Sequence, residues 1–117
     1  MKIIIPFKTP SVNHLYIKGR ILKLEARQIR EQISLICKDL SSEGLKNKNL
    51  KVVTKIHEDW LTLDGKVKRK DIANREKFLI DSVFNALQLD DKYIQFHAMI
   101  KEQNKEKEYS EIEITEL

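Results

Sequence analysis

The sequence predicts a single α+β domain, with helices packed on one mixed sheet and elements in the order β-α-β-α-β-β. Three observations predict it. The chain has 117 residues, residues 1–117 forming one unit, enough for one core and too few for two. Two stretches carry apolar residues at helical spacing, and four others are β-rich or alternate between apolar and polar. Hydrophobic residues make up 41% and charged residues 34%, with three glycines and two prolines. That composition supports a folded core under a charged skin, with few special turns.

The elements follow in order. Lys2–Phe7 is β-rich and ends near Pro6, so it reads as a first strand. Residues 9–16 are irregular and polar, and Gly19 marks a turn. Between Leu24 and Leu40, Ile29, Ile33, Ile36 and Leu40 form one face of an amphipathic helix. Cys37 lies beside that stripe as inert core, and Gly44 reads as the C-terminal stop. Val52, Thr54 and Ile56, with the later Trp60, alternate with Lys51, Val53, Lys55 and His57, which predicts a strand with one buried face. Asp64-Gly65 turns the chain into a basic loop. Ile72–Gln88 is a second helix, apolar on most sides and so buried. Ile94, Phe96, Ala98 and Ile100 alternate with Tyr93, Gln95, His97 and Met99 in a third strand. Gln103–Lys107 reads as a charged hairpin connection, and Ile112 and Ile114 mark the last strand. Trp60 and Phe96 are expected in the core.

Several function classes are excluded at this level. No apolar run approaches the ~20 residues of a membrane span. The start lacks the apolar stretch of a signal peptide, and the single cysteine excludes an internal disulfide and any cysteine-cluster zinc site. The expected setting is cytoplasmic. The net charge of +4 hides an asymmetry: residues 1–77 hold 18 basic and 9 acidic residues, and residues 78–117 hold 4 basic and 9 acidic. The basic peak contains Lys66, Lys68, Arg69, Lys70, Arg75 and Lys77. Clustered Lys and Arg gain by releasing counterions from nucleic acid. A solvated loop in a lysine-rich protein explains the same cluster.

The second helix carries a polar stripe, Asp71, Asn74, Lys77 and Asp81, and Asp90-Asp91 follows at its far end. Each residue has a structural explanation. Asp71 fits a helix N-cap, Lys77 and Asp81 fit an i,i+4 pair, and Asp90-Asp91 fits a turn. Carboxylates beside a basic loop also suit phosphodiester cleavage. Acidic groups hold Mg²⁺, which polarises the phosphate and activates water, while basic groups offset developing charge.

Lys68-Arg69-Lys70-Asp71-Ile72-Ala73-Asn74-Arg75-Glu76-Lys77, then Asp81, then Asp90-Asp91, resembles the central motif of the RusA-type Holliday junction resolvases. That motif is a basic run, Asp-x-Asp-Asn-x-x-Lys, a downstream Asp and an Asp-Asp before a strand. Pro10-Ser11-Val12-Asn13-His14-Leu15-Tyr16 resembles the family's Pro-Ser-x-Asn-x-x-Tyr segment, and Glu111–Thr115 its C-terminal strand. The resemblance spans nearly the whole chain. It implies a homodimeric, Mg²⁺-dependent endonuclease, with Mn²⁺ as a substitute, that makes paired nicks in four-way DNA junctions during recombination and repair, often prophage-encoded. Carried over by motif position, Asp71 and Asp91 match the catalytic aspartates and Lys77 the functional lysine. Asp71 and Asp91, with Asp90, are the implied metal ligands. Lys66, Lys68, Arg69, Lys70, Asn74, Asn13 and Tyr16 are the implied DNA contacts, and recognition is by branched shape.

One departure stands out. Ala73 occupies the position of the motif's second aspartate, and alanine has no oxygen to offer a metal. A family branch with other ligands, a binder that lost its nuclease, and a chain whose site residue was changed all fit. Asp81 is a poor replacement, because ten helical residues rise ~15 Å; Asp90, Asp59 or a backbone oxygen are better placed. Asp71 and Asp91 are themselves ~22–25 Å apart along a straight helix. Two antiparallel copies would bring Asp71 of one chain towards Asp91 of the other. Among the histidines, His57 lies nearest the basic loop, while His97, on the polar face of its strand, and His14 have no partner at metal-ligand spacing.

Overall fold

The computed structural model describes residues 1–10, 16–17, 21–22 and 24–117, with backbone alone for 16–17 and 21–22. In chain order its elements are β1 (Lys2–Ile5), β2 (Tyr16–Ile17), β3 (Ile21–Leu22), α1 (Leu24–Cys37), β4 (Leu50–Glu58), α2 (Ile72–Leu87), β5 (Ile94–Gln103) and β6 (Tyr109–Glu116). β1, β4, β5 and β6 form one mixed sheet in the order β1-β6-β4-β5, an α+β domain as expected. β2 and β3 form a separate antiparallel pair.

One core joins both helices to one sheet face. Ile33 and Cys37 of α1 and Leu79, Ile80, Val83, Phe84 and Leu87 of α2 pack on Ile3, Ile5, Leu50, Val52, Ile112 and Ile114. Strand alternation decides which residues take part: even-numbered β4 residues are buried and odd-numbered ones are not. α2 is apolar on most sides because it is wedged between sheet and α1, and its polar stripe faces out.

Four expectations change. α1 ends at Cys37 rather than Leu40: Lys38 N–H turns back to the Leu35 carbonyl at 3.3 Å and Leu40 N–H to Cys37 at 3.0 Å. Gly44 sits in a later 3-10 turn, Glu43–Leu45, so it does not stop the helix. The segment after β5 is no hairpin, because β5 and β6 are not neighbours. It crosses the end of β4, where Asn104 N–H donates to the Glu58 carbonyl at 2.9 Å. β6 then enters between β1 and β4, so its Ile112 and Ile114 are buried.

The fourth change concerns β5. Leu50 pairs with Ile94 but Lys51 pairs with Phe96, so one extra residue, Gln95, enters β5 as a bulge. A bulge reverses the alternation beyond it. Ile94 therefore faces the core, while Phe96, Ala98 and Ile100 share the open face with Lys51. Phe96 is 48% exposed rather than core, whereas Trp60 is buried as expected. His97, on the helix side, reaches Glu76 of α2 at 2.8 Å.

Candidate nucleic-acid interface and catalytic residues

β4 and β5 run parallel with α2 between them. In such sheets, sites form beyond the carboxyl ends of the strands. Here that edge holds the end of β4, the basic loop and the start of α2.

The loop is a braced hairpin. Leu61 bridges Val67, Thr62 N–H donates to the Lys66 carbonyl at 2.7 Å, and Gly65 N–H donates to the Thr62 carbonyl at 3.0 Å. Gly65 has φ +82°, the one backbone setting in this turn that favours glycine. The Thr62 hydroxyl donates to Asp64 and holds that carboxyl below the usual carboxylate range.

Behind the hairpin lies a cluster of cations around two carboxylates. Glu58 is inward-facing and 1% exposed. Arg75 stands 3.5 Å and Lys8 3.7 Å from its oxygens, and among the described residues neither oxygen accepts a hydrogen bond. Arg75 also donates to the Thr9 carbonyl at 3.4 Å. Asp59 accepts from Gln103 Nε2 at 2.7 Å and Lys68 Nζ at 3.0 Å. The Gln103 bond, then Lys68, lowers its carboxyl to about 2. Lys70 Nζ donates to the Asp59 carbonyl at 2.9 Å, and Lys101 Nζ donates to the Lys70 carbonyl at 3.0 Å. Both ammonium groups lie over the Trp60 ring, at 5.6 and 4.9 Å. Burial pulls Lys70 below the usual lysine value; Glu58 opposes this, and Lys8, Lys68 and Arg75 add repulsion.

The expected residues divide between the two ends of α2. At its start, Asp71 is the N-cap, its Oδ1 accepting from Ala73 N–H at 2.9 Å. Asn74 lies in the first turn, and Lys66, Lys68, Arg69 and Lys70 precede it. Lys77 pairs with Asp81 at 3.4 Å. At the far end Asp90 caps a 3-10 turn, Asp91–Tyr93, accepting from Lys92 N–H at 3.0 Å. Asp81, Asp90 and Asp91 line one surface hollow of about 340 Å³. The structural explanations of Asp71, Lys77 and Asp90 are thus all realised. Asn13 lies outside the described residues, and for Tyr16 the structure describes backbone only.

The 16 residues of α2 rise ~24 Å, so one chain does not bring Asp71 and Asp91 together. Among the described residues no group of three His, Cys, Asp or Glu side chains is placed to hold a metal ion. Asp59 is a poor substitute ligand, because both its oxygens are engaged. His57 stacks on Tyr109 with centroids 4.0 Å apart.

Sequence reasoning missed Lys8, Glu58, Gln103 and Lys101. For Glu58 the signal was present, since it continues the inward series Val52, Thr54, Ile56. The others are contributed by distant elements. No helix among the described residues is long and apolar enough to cross a membrane. No protein-family model matches the chain and no curated protein matches it.

Proposed function

We propose that the chain is a RusA-like, structure-selective DNA endonuclease acting on four-way junctions. The observation that carries this reading is the convergence of Lys8, Lys68, Lys70, Arg75 and Lys101 on one sheet edge, beside Asp71. Five cations against Glu58, Asp59, Asp71 and Glu108, which Lys8 meets at 3.3 Å, leave a small positive excess where a phosphate backbone would lie. The exposed Lys66 extends that surface along the hairpin. The family motif around Asp71 supplies the rest of the argument.

In this reading the cations bind and orient the junction backbone, and the rigid hairpin sets its distance from Asp71. Lys77 leaves Asp81 to stabilise the scissile phosphate. Mg²⁺, or Mn²⁺ in its place, would supply the charge that activates water once Asp71 and Asp91 of two copies held it. The described residues of one chain do not fit that ion. A homodimer sharing Asp71 and Asp91 between copies fits better than a monomer.

A second reading, a non-catalytic junction binder of the same fold, is favoured by Ala73. A nicking assay on a mobile four-way junction with Mg²⁺ or Mn²⁺ separates the two. Nicks that vanish in Asp71→Asn are the expected result. Tight, salt-dependent binding without nicks favours the binder. In that case Ala73→Asp is decisive: gained cleavage shows that only a ligand was missing.

A further inference from the structure

α1 and α2 pack against each other, and a groove of about 400 Å³ runs between them. Arg27, Arg30, Glu31 and Ser34 line it from α1, and Ser82 and Asn85 from α2. Arg30 is half-buried there and held on two sides. Its Nε lies 3.4 Å from the Ser82 hydroxyl, and its guanidinium carbon stands 5.2 Å over the centre of the Phe78 ring. Ser82 and Phe78 are both buried, so the planar group is fixed before any ligand arrives.

A guanidinium placed this way is ordinarily met by a carboxylate across its fork. Of the described arginines only Arg75 pairs with a carboxylate, and residues 11–23 contain no Asp or Glu. Among the described residues the bond to Ser82 is the one hydrogen bond Arg30 makes through its side chain. Its terminal amino groups are left without an acceptor. Glu31, the one carboxylate lining the groove, pairs with neither arginine. Asp81, beside Ser82 on α2, is held by Lys77 at 3.4 Å.

We propose that this groove binds a phosphate group, anchored by Arg30. The Arg30 fork takes two phosphate oxygens. Arg27, the Ser34 hydroxyl and the Asn85 amide supply donors for the rest. A carboxylate ligand would be satisfied by Arg30 alone and leave those donors unused. Two guanidiniums against Glu31 leave a positive excess for the anion. The site is separate from the cations at the sheet edge and does not depend on the endonuclease reading. Only the source of the phosphate does. Ser82 lies eleven residues beyond Asp71, ~16 Å along α2. That is about five base pairs of duplex. A junction arm following α2 from Asp71 would lay its backbone over the groove.

Nuclear magnetic resonance of the ¹⁵N-labelled full chain tests the site with inorganic phosphate as the probe. The Arg30 Nε–Hε signal and the Asn85 amide signals should shift saturably, with a Kd of about 1–10 mM. Potassium chloride of equal ionic strength should leave them in place. Arg30→Gln should weaken the response at Asn85 about tenfold. Ser34→Glu should do the same with Arg30 still seated on Phe78 and Ser82, so a packing defect does not explain the loss. Both variants should keep the circular dichroism spectrum of the unaltered chain. A short DNA duplex that moves the same signals at micromolar concentration identifies the phosphate as DNA backbone. Shifts with inorganic phosphate and none with duplex assign the groove to a free phosphate compound. No saturable shift with phosphate, an equal shift with chloride, or undiminished binding in either variant overturns the proposal. Phosphate binding in a chain that never nicks junctions keeps the groove site and sinks the nuclease reading alone.

Discussion

Asp71 Oδ1 is committed to the Ala73 amide, and asparagine caps a helix about as well as aspartate. Asp71→Asn is therefore expected to shift stability by less than about 0.5 kcal/mol while abolishing nicking. Urea melts and the junction assay read the two effects separately. Glu58 behaves differently. Removing a buried carboxylate leaves the largely buried Arg75 without its acidic partner, so Glu58→Ala should cost about 3 kcal/mol in urea unfolding. Asp59 predicts a pH effect. Its folded carboxyl lies at about 2, below the ordinary 3.8. A depressed carboxylate contributes stability above its unfolded pKa and loses it as pH falls through the folded one. The melting-temperature difference between the unaltered chain and Asp59→Asn should be full above pH 4 and disappear towards pH 2. An undiminished difference at pH 2 counts against the Gln103 and Lys68 bonds as its source. Asp71 and Lys77 were legible in the sequence because a motif names them. Lys101 was not, because nothing local says that β5 ends beside the start of α2.

Helix α2 is the element the sequence describes best. Its apolar residues fill more than one stripe, and the structure accordingly wedges it between α1 and the sheet. Leu79 is fully buried there, so Leu79→Ala should cost about 3 kcal/mol by chemical denaturation. Lys77→Ala should cost only a few tenths, since its pair with Asp81 is exposed. β5 is the element described worst. Its apolar residues alternate as in a half-buried strand, but the bulge at Gln95 moves three of them to the open face. A bulge is set by pairing with β4, and period-two reading of β5 alone does not contain it.

For the molecule as a whole, the proposed function makes binding depend on salt, because the cations would displace counterions from the phosphate backbone. Junction affinity should fall steeply between 50 and 200 mM salt, and Lys66→Ala should reduce the slope of log K against log salt by about 1. Lys66 pairs only with exposed Asp64, at 3.8 Å among the described residues, so the change should leave the fold intact. A slope that is shallow and unaffected by Lys66→Ala would remove the phosphate-binding role of the hairpin.

By itself the sequence determined the helices, the four main strands, the basic peak and its adjacency to Asp71 along the chain. These depend on neighbours within a few residues, where periodicity, capping and turn chemistry act. Only the tertiary structure decided the strand order, which puts β6 between β1 and β4 and leaves β5 bare. It also decided that Lys8, Glu58 and Arg75 meet, that Lys101 reaches the Lys70 carbonyl, and that Asp71 and Asp91 stand at opposite ends of α2. Such facts follow from long-range pairing and the rigidity of α2, and local sequence pattern carries no distance information across them.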